Sequence, residues 1–190
     1  MSEANLVIEV ALLVARAFEE MGLEYALGGS VAGGIFGEPR FTRDLDFAVR
    51  MEAAQVEGFA ARLGADFSVD ESGLREAIRL RSSENIFFLP QFFKIDLFLG
   101  GREPFDDSEF RRRVRIAIAE GGELFVASAE DILLRKLAWF RLGGEVSDQQ
   151  WRDVLGILRV SGPRLDRRYL DEWAERLGVA DLLARVRAQG

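Results

Sequence analysis

Two aspartates one residue apart, Asp44 and Asp46, are the first side chains in this sequence whose types and spacing could do chemistry. Leu45 and Phe47 alternate with them, which is the period of a β-strand, so both carboxylates are expected on one face of the strand. Two like charges about 6–7 Å apart repel each other unless a cation lies between them or water surrounds them. The pair therefore indicates either a metal site or a solvated strand face.

A third acid, Asp96, lies in the apolar run FFKIDLFLG. This run predicts a central strand buried on both faces, where an ionised carboxylate is costly unless it is paired or bound to a metal. Lys94, two residues earlier on the same face, could form a salt bridge that accounts for Asp96. That bridge would not explain Asp44 and Asp46, and three acids on neighbouring strands would form an oxygen cage for one or two Mg²⁺ (or Mn²⁺) ions.

Gly28, Gly29 and Ser30 form the second candidate feature, at the end of a predicted strand and the start of a predicted helix. Helix N-termini present N–H groups and a positive dipole to phosphate, and glycine lets the backbone approach closely. The same residues could instead be a tight turn with Ser30 as the helix N-cap. A P-loop is excluded, because Gly34 and Ile35 stand where that motif needs Lys and then Ser or Thr.

The amino-acid composition excludes several kinds of catalytic and metal site. The 190 residues contain no histidine and no cysteine, which excludes a Cys/His zinc site, a cysteine nucleophile and a histidine base. The net charge of −7 argues against a general affinity for nucleic acid. No apolar run approaches the roughly 20 residues that span a bilayer, and the N-terminus lacks a signal-peptide pattern. We therefore expect a cytoplasmic protein that does not insert into a membrane.

A sheet and several helices must position these residues, and periodicity predicts both. The order of elements predicts an α/β (α+β) fold with a mixed-sheet core over 1–127, followed by a helical region over 128–190 packed on that core. The segment 74–82 fits either a helix or a strand. Helices are predicted at 4–21, 30–36, 53–63, 128–142, 147–160 and in the remaining C-terminal residues. Ser128 with Asp131 and Ser147 with Gln150 form capping-box patterns at the starts of two of these helices. Strands are predicted at 25–28, 45–49, 66–69, on both sides of Pro90 in 86–99, and in a hairpin over 114–126.

Lys136 has a position that is unusual for a surface cation. Ile132, Leu133 and Phe140 surround it on the predicted helix, so it lies near the centre of the apolar face. Its stem could run along the apolar surface with the ammonium group in water. Alternatively, the ammonium group reaches into a cleft and binds nucleotide phosphate.

The run FRRRVR at 110–115 offers a further basic feature. Read as a strand, it would place Arg111, Arg113 and Arg115 on one face. Such a row is typical of a solvated sheet edge that discourages aggregation. It could also form a small patch that binds RNA or a protein partner.

Three stretches together resemble a known family: GGSVAGGIFG at 28–37, RFTRDLDFAV at 40–49 and KIDLFLG at 94–100. They resemble the DNA-polymerase-β-type nucleotidyltransferase superfamily, whose pattern is Gly-Ser at a helix start, an Asp-x-Asp pair and a third Asp on a neighbouring strand. Downstream, SAEDILLRKLAWFR and WRDVLGIL are similar to the branch that contains abortive-infection nucleotidyltransferase toxins of toxin–antitoxin systems.

The resemblance implies transfer of a nucleoside monophosphate from an NTP to a hydroxyl acceptor, with Mg²⁺ or Mn²⁺ as cofactor. The acceptor would be an RNA end, a protein side chain or a small molecule, and in the toxin branch an antitoxin protein would be a partner. The implied catalytic and metal-binding residues are Asp44, Asp46 and Asp96. The implied nucleotide-binding residues are Gly28, Gly29, Ser30, Arg43, Lys136 and Asp153.

Two other hypotheses compete with an active transferase. The chain could be a catalytically inactive nucleotidyltransferase-like module that binds or regulates, although the intact acids at positions 44, 46 and 96 argue against it. A haloacid-dehalogenase-like phosphatase also uses Asp-x-Asp. That class needs a strongly apolar strand immediately before the first Asp, where this chain has Phe-Thr-Arg.

Overall fold

The computed structural model describes residues 3–40, 42, 44–101, 103–118 and 121–189. Contacts group the chain into two compact units. The first unit is Met1–Gly28 with Phe41–Val126, and the second is Gly29–Arg40 with Ala127–Gly190. Residues 29–40 thus group with the C-terminal helices.

The first unit contains a seven-stranded mixed sheet in the residues that the structure describes. The spatial order is β3-β4-β5-β2-β1-β7-β6. The neighbours β2/β5 and β1/β7 run parallel, and the other neighbouring pairs run antiparallel. The strands are β1 Glu24–Leu27, β2 Asp44–Arg50, β3 Phe67–Ser68, β4 Ser83–Phe88, β5 Phe93–Phe98, β6 Val114–Ile118 and β7 Gly122–Val126.

Strands β2 and β5 both alternate between a buried face and a half-exposed face. In β5, Ile95 and Leu97 are fully buried, whereas Lys94 and Asp96 lie on the other face. The prediction that this strand is buried on both faces is therefore wrong. The side chain of Asp96 keeps 16% of its surface exposed, so it is partly hydrated rather than enclosed in the core.

The helices of the first unit cover the buried face with an aromatic core. Phe18 on α1 stacks on Phe59 of α3 with ring centroids 5.1 Å apart, and it also contacts Tyr25 and Phe47 of the sheet. All four rings are buried, which anchors β1 and β2 side by side. The helices are α1 Glu3–Glu20, α3 Val56–Leu63, α4 Glu71–Leu80 and α5 Pro104–Arg112.

Helix α5 corrects the prediction of a strand over 110–115. Pro104 stands at its first position, and Glu103 and Asp106 form a capping box, so the chain is helical up to Arg112. Only Arg115 lies on a strand, β6. The three alternate arginines therefore do not form a row on one sheet face.

Helix α4 resolves the segment that fits either a helix or a strand, and Asp70 is its N-cap. One Asp70 oxygen accepts hydrogen bonds from the backbone N–H groups of Ser72 and Gly73, both at 3.0 Å, and from the Ser72 hydroxyl at 2.6 Å. These hydrogen bonds, the hydroxyl of Ser72 foremost, lower the pKa of Asp70. The cap explains why the helix begins at Glu71.

We expect Asp70→Ala to lower the melting temperature at pH 7, because two backbone donors lose their acceptor. The folded-state pKa is depressed, so this stabilisation is present above the unfolded value of ~3.9 and is lost as pH falls through the folded value. Melts followed by circular dichroism at pH 7 and near pH 3 should show the difference shrinking on acidification. A difference that is constant with pH would contradict the role of the ionised carboxylate, and Glu71→Ala is the matched control.

The second unit is helical in its described residues. Its helices are α2 Gly29–Phe36, α6 Ala129–Leu142, α7 Asp148–Ser161, α8 Arg167–Arg176 and α9 Ala180–Arg187. Helix α2 packs against α6 and α7. Ser128 and Ser147 cap α6 and α7 through their hydroxyl groups, which confirms the two predicted N-caps.

Over the described part of the chain, none of the helices has the length and apolar character needed to cross a membrane.

Candidate functional site

Strands β2 and β5 bring the three predicted carboxylates onto one face of the sheet. In the parallel register, Asp46 lies opposite Asp96, and Asp44 lies opposite Lys94. The alternation of side chains places all four on the half-exposed face, away from the buried core. We call Asp44, Asp46, Lys94 and Asp96 the carboxylate face.

Lys94 lies among these carboxylates. Its Nζ is 2.8 Å from Oδ2 of Asp96 and 3.9 Å from Oδ1 of Asp44. The hydrogen bond to Asp96 is the main reason that the pKa of Lys94 is raised, with smaller contributions from the charges of Asp96, Asp44 and Asp46. The alternative salt bridge that the sequence suggested for Asp96 is therefore present.

The carboxylate face suits a hard divalent cation in its donor types but not in its present arrangement. Carboxylate oxygens are the ligands that Mg²⁺ and Mn²⁺ prefer. Within the described ranges, however, no group of three or more acidic side chains could hold a metal ion as it stands. Asp44 has 56% of its side chain exposed, so it has room to change rotamer. A metal ion would require such a movement and a different position for Lys94.

Gly28 continues the ladder between β1 and β2. Its N–H donates to the carbonyl oxygen of Asp46 at 2.8 Å, which places the end of β1 directly beside the backbone of Asp46. A Cβ at this position would lie 3.8 Å from the same oxygen, an ordinary contact. Arg43, which the resemblance assigns to the nucleotide, lies outside the described residues.

A separate polar cluster lies in the second unit, between α2, α6 and α7. The Nζ of Lys136 is 2.7 Å from Oδ2 of Asp153 and 3.4 Å from the amide oxygen of Gln150. Arg40 donates through Nε to the other oxygen of Asp153 at 3.2 Å and through a terminal nitrogen to the hydroxyl of Ser30. We call Ser30, Arg40, Lys136, Gln150 and Asp153 the Lys136 cluster.

Three residues that the resemblance named, Ser30, Lys136 and Asp153, thus lie in one cluster although α7 and α2 are far apart in sequence. Arg40 and Gln150 were missed. The sequence contains a pattern that could have identified Arg40, because Arg40 is the first residue of Arg-x-Thr-x-Asp-x-Asp. For Gln150 the sequence offers only its position in the capping-box pattern with Ser147.

Two glycines of α2 give the Lys136 cluster the backbone shape and the space that it needs. Gly29 begins the helix with φ of +59°, a left-handed conformation that glycine adopts without steric cost. A Cβ on Gly33 would lie 3.1 Å from Cε of Lys136. The missing side chain leaves room for the lysine stem, which has only 6% of its surface exposed.

Lysine is used sparingly in this chain. Of the 25 lysine and arginine residues, only Lys94 and Lys136 are lysines. Each contacts a carboxylate of a candidate site, Asp96 or Asp153. An ammonium group is a compact charge on a flexible stem, unlike the planar guanidinium group. The two lysines of the chain therefore both lie at candidate sites, each in contact with an acid to which a function is assigned.

The fold is a mixed α/β fold similar to that of a nucleotidyltransferase-like protein. The crystal structure of an antigenic nucleotidyltransferase-like protein from Paracoccidioides brasiliensis matches with a TM-score of 0.58 and 16% identity, over 95% of this chain and 87% of that chain. This similarity confirms the predicted fold class. At this identity it concerns the fold and not the reaction.

Two further structures match at lower scores. The antibiotic-resistance factor ANT(2'')-Ia has a TM-score of 0.49 and 11% identity, over 100% of this chain and 95% of that chain. JHP933 from Helicobacter pylori has a TM-score of 0.40 and 15% identity, over 100% of this chain and 96% of that chain. No protein-family model matches the sequence. The search of curated proteins gives no match either.

Proposed function

We propose that this protein is a metal-dependent nucleotidyltransferase that moves a nucleoside monophosphate from an NTP to a hydroxyl acceptor. The observation that carries the proposal is the placement of Asp44, Asp46 and Asp96 on one face of two adjacent parallel strands. They occur in a fold similar to that of a nucleotidyltransferase-like protein. The acceptor is an RNA end, a protein side chain or a small molecule.

The carboxylate face supplies the acidic groups of this reaction. Mg²⁺ or Mn²⁺, when bound, supplies positive charge that offsets the phosphate oxygens and the pyrophosphate leaving group. Asp44 and Asp46 would hold the ion. Asp96 completes the ligand set and accepts the proton of the acceptor hydroxyl. The acceptor oxygen then bonds to the α-phosphorus, and the bond from that phosphorus to the pyrophosphate oxygen breaks.

The Lys136 cluster supplies the groups that suit phosphate. Two cations, Lys136 and Arg40, share the single carboxylate of Asp153. The cluster therefore carries an excess of positive charge that an anionic ligand can use. Ser30 adds a hydroxyl donor, and Asp153 holds both cations in position. In this proposal Gly29, Ser30, Arg40 and Lys136 bind the β- and γ-phosphates.

The more specific parts of the proposal rest on the resemblance of segments 128–141 and 151–158 to the toxin branch. They are a toxin activity, an antitoxin protein as partner, and a cytoplasmic location where NTPs and Mg²⁺ are available. A test of co-purification with the product of an adjacent gene addresses them separately from the chemistry.

The experiment that tests the proposal is calorimetric titration of each of the four NTPs with and without Mg²⁺. We expect at least one NTP to bind in a Mg²⁺-dependent manner. In the Asp44→Asn/Asp46→Asn double variant the affinity should fall at least about 100-fold, because the ion loses two anionic ligands, an effect of several kcal/mol. Asp66→Asn, which neutralises an exposed acid of the same unit, is the matched control.

A folded protein that binds no NTP would show that the transferase proposal is wrong. Binding that persists without Mg²⁺ and without the acid pair would also contradict the proposed site. Either result would favour the alternative of an inactive nucleotidyltransferase-like module that binds or regulates another molecule.

A further inference from the structure

Lys94 takes the place in the carboxylate face that a cation would take. Its ammonium group contacts Asp96 at 2.8 Å and lies 3.9 Å from Asp44, its register partner on the neighbouring strand. Asp46 stands opposite Asp96 and completes the group. One ammonium group thus contacts Asp96, lies near Asp44 and shares a sheet face with Asp46, the three acids that the proposed function assigns to metal binding.

The charges explain why the metal-free protein needs this ammonium group. Adjacent positions on neighbouring strands lie about 4.8 Å apart, so three ionised carboxylates there repel one another. Lys94 relieves part of that repulsion. One of the Asp96 oxygens that would coordinate an ion is engaged by the ammonium group instead. A metal ion and Lys94 therefore compete for the same oxygen.

We propose that the Lys94 ammonium group is an internal counter-cation of the carboxylate face, and that a divalent cation binds there by displacing it. This inference rests on the proposed function, since it concerns the regulation of the same metal site. Metal binding is then an exchange of one cation for another rather than the filling of a preformed cage. It also accounts for the finding that the described acids do not form a ready metal site.

The two lysines differ in the way that such an exchange requires. Lys94 has 39% of its side chain exposed, so its four-carbon stem can swing into water without leaving a buried cavity. Lys136 has 6% exposed and is enclosed beside Gly33. Lys94 is therefore the exchangeable ammonium group, and Lys136 is the fixed one.

The scarcity of lysine makes the exchange directly observable. Protein labelled with [ε-¹³C]lysine has only two lysine side-chain signals, which Lys136→Arg assigns. On titration with Mg²⁺ alone, we expect the Lys94 signal to shift and sharpen as its contact with Asp96 is lost. The Lys136 signal is the internal control and should stay in place. A Lys94 signal that does not move when calorimetry shows the site saturated with Mg²⁺ would overturn the proposal.

A second measurement uses Mn²⁺ binding to Lys94→Met, which keeps the length of the side chain and removes its charge. With no competitor for Asp96, Mn²⁺ should bind at least about tenfold more tightly than to the wild type. The metal-free variant should also melt at a lower temperature. The control is Arg115→Met, which breaks the exposed pair with Glu123 at the far edge of the sheet and should change Mn²⁺ affinity less than about twofold. Unchanged or weaker Mn²⁺ binding by Lys94→Met would refute the exchange.

The outcomes separate this inference from the proposed function. If Mg²⁺ moves the Lys94 signal but no NTP binds, the exchange stands and the transferase proposal fails. If NTP binding depends on Asp46 and Mg²⁺ while the Lys94 signal is unmoved, the transferase proposal stands and the exchange fails.

Discussion

Replacing Lys136 by methionine should weaken NTP binding about 100-fold. The ammonium group of Lys136 is buried and makes a charge-assisted hydrogen bond to Asp153 at 2.7 Å. Hydrogen bonds to charged groups contribute about 1.5–3 kcal/mol each, and a 100-fold change in affinity corresponds to about 2.8 kcal/mol. The variant loses the phosphate contact and also the partner that keeps Asp153 in position.

The neighbours of Lys136 indicate that this substitution should weaken NTP binding without unfolding the protein. Arg40 continues to pair with Asp153 in the variant, so the carboxylate is not left without a cation and the helices should still pack. Arginine should not restore binding, because the side chain of residue 136 is enclosed, with only 6% of its surface exposed, and a planar guanidinium group is larger than an ammonium group. Lys136→Arg should therefore behave like Lys136→Met.

Calorimetry with Mg²⁺ and the preferred NTP measures the effect, and Arg159→Met is the control. Arg159 lies on α7 and pairs with Glu38 on the surface, so its loss should change affinity less than about twofold. Circular dichroism must show that both variants are folded. If folded Lys136→Met binds the NTP as tightly as the wild type, the Lys136 cluster does not bind the phosphates.

Local patterns predicted most elements of the fold. The alternation of Asp44 and Asp46 with apolar residues predicted β2 and placed both acids on one face, which follows from the strand period alone. The hydroxyls of Ser128 and Ser147 predicted the starts of α6 and α7. These signals work because they act within a few residues and do not depend on tertiary partners.

Helix α5 shows where the reading of local patterns failed. Alternating arginines suggested a strand, but Pro104 followed by Asp106 and Asp107 is typical of a helix start, with proline at the first position and acids in the first turn. Both Phe105 and Phe110 are buried in this helix, which anchors it in the fold. The strand prediction relied on the alternating arginines and overlooked the proline and acidic residues that mark the start of a helix.

The relations between distant segments could not be predicted from the sequence alone. The register that sets Asp46 opposite Asp96 joins strands 50 residues apart, and nothing local specifies that pairing or its parallel direction. Similarly, only tertiary packing brings Arg40 to Asp153. The resemblance named most of these residues, but the structure alone shows that Lys94 lies among the acids.

The packing that holds α2 on α7 gives the last prediction, for Gly37→Ala. A Cβ on Gly37 would lie 2.9 Å from the carbonyl oxygen of Gly33 and 2.9 Å from the backbone nitrogen of Ile157, with Gly156 at 3.1 Å. All three contacts are with backbone atoms, which cannot move aside by changing a rotamer. We expect the free energy of unfolding to fall by about 1–3 kcal/mol, the usual range for overpacking a tight site.

Gly34→Ala is the matched control, because its Cβ would lie 3.5 Å from Pro39 and meet nothing closer. It lies inside α2, where alanine favours the helix by up to about 1 kcal/mol over glycine, so this variant should be neutral or more stable. Urea unfolding compares the two. If Gly37→Ala is as stable as Gly34→Ala, the close approach of α2 and α7 is wrong. If it is destabilised and folded, NTP binding should weaken too, because α2 carries Ser30 and leads directly to Arg40.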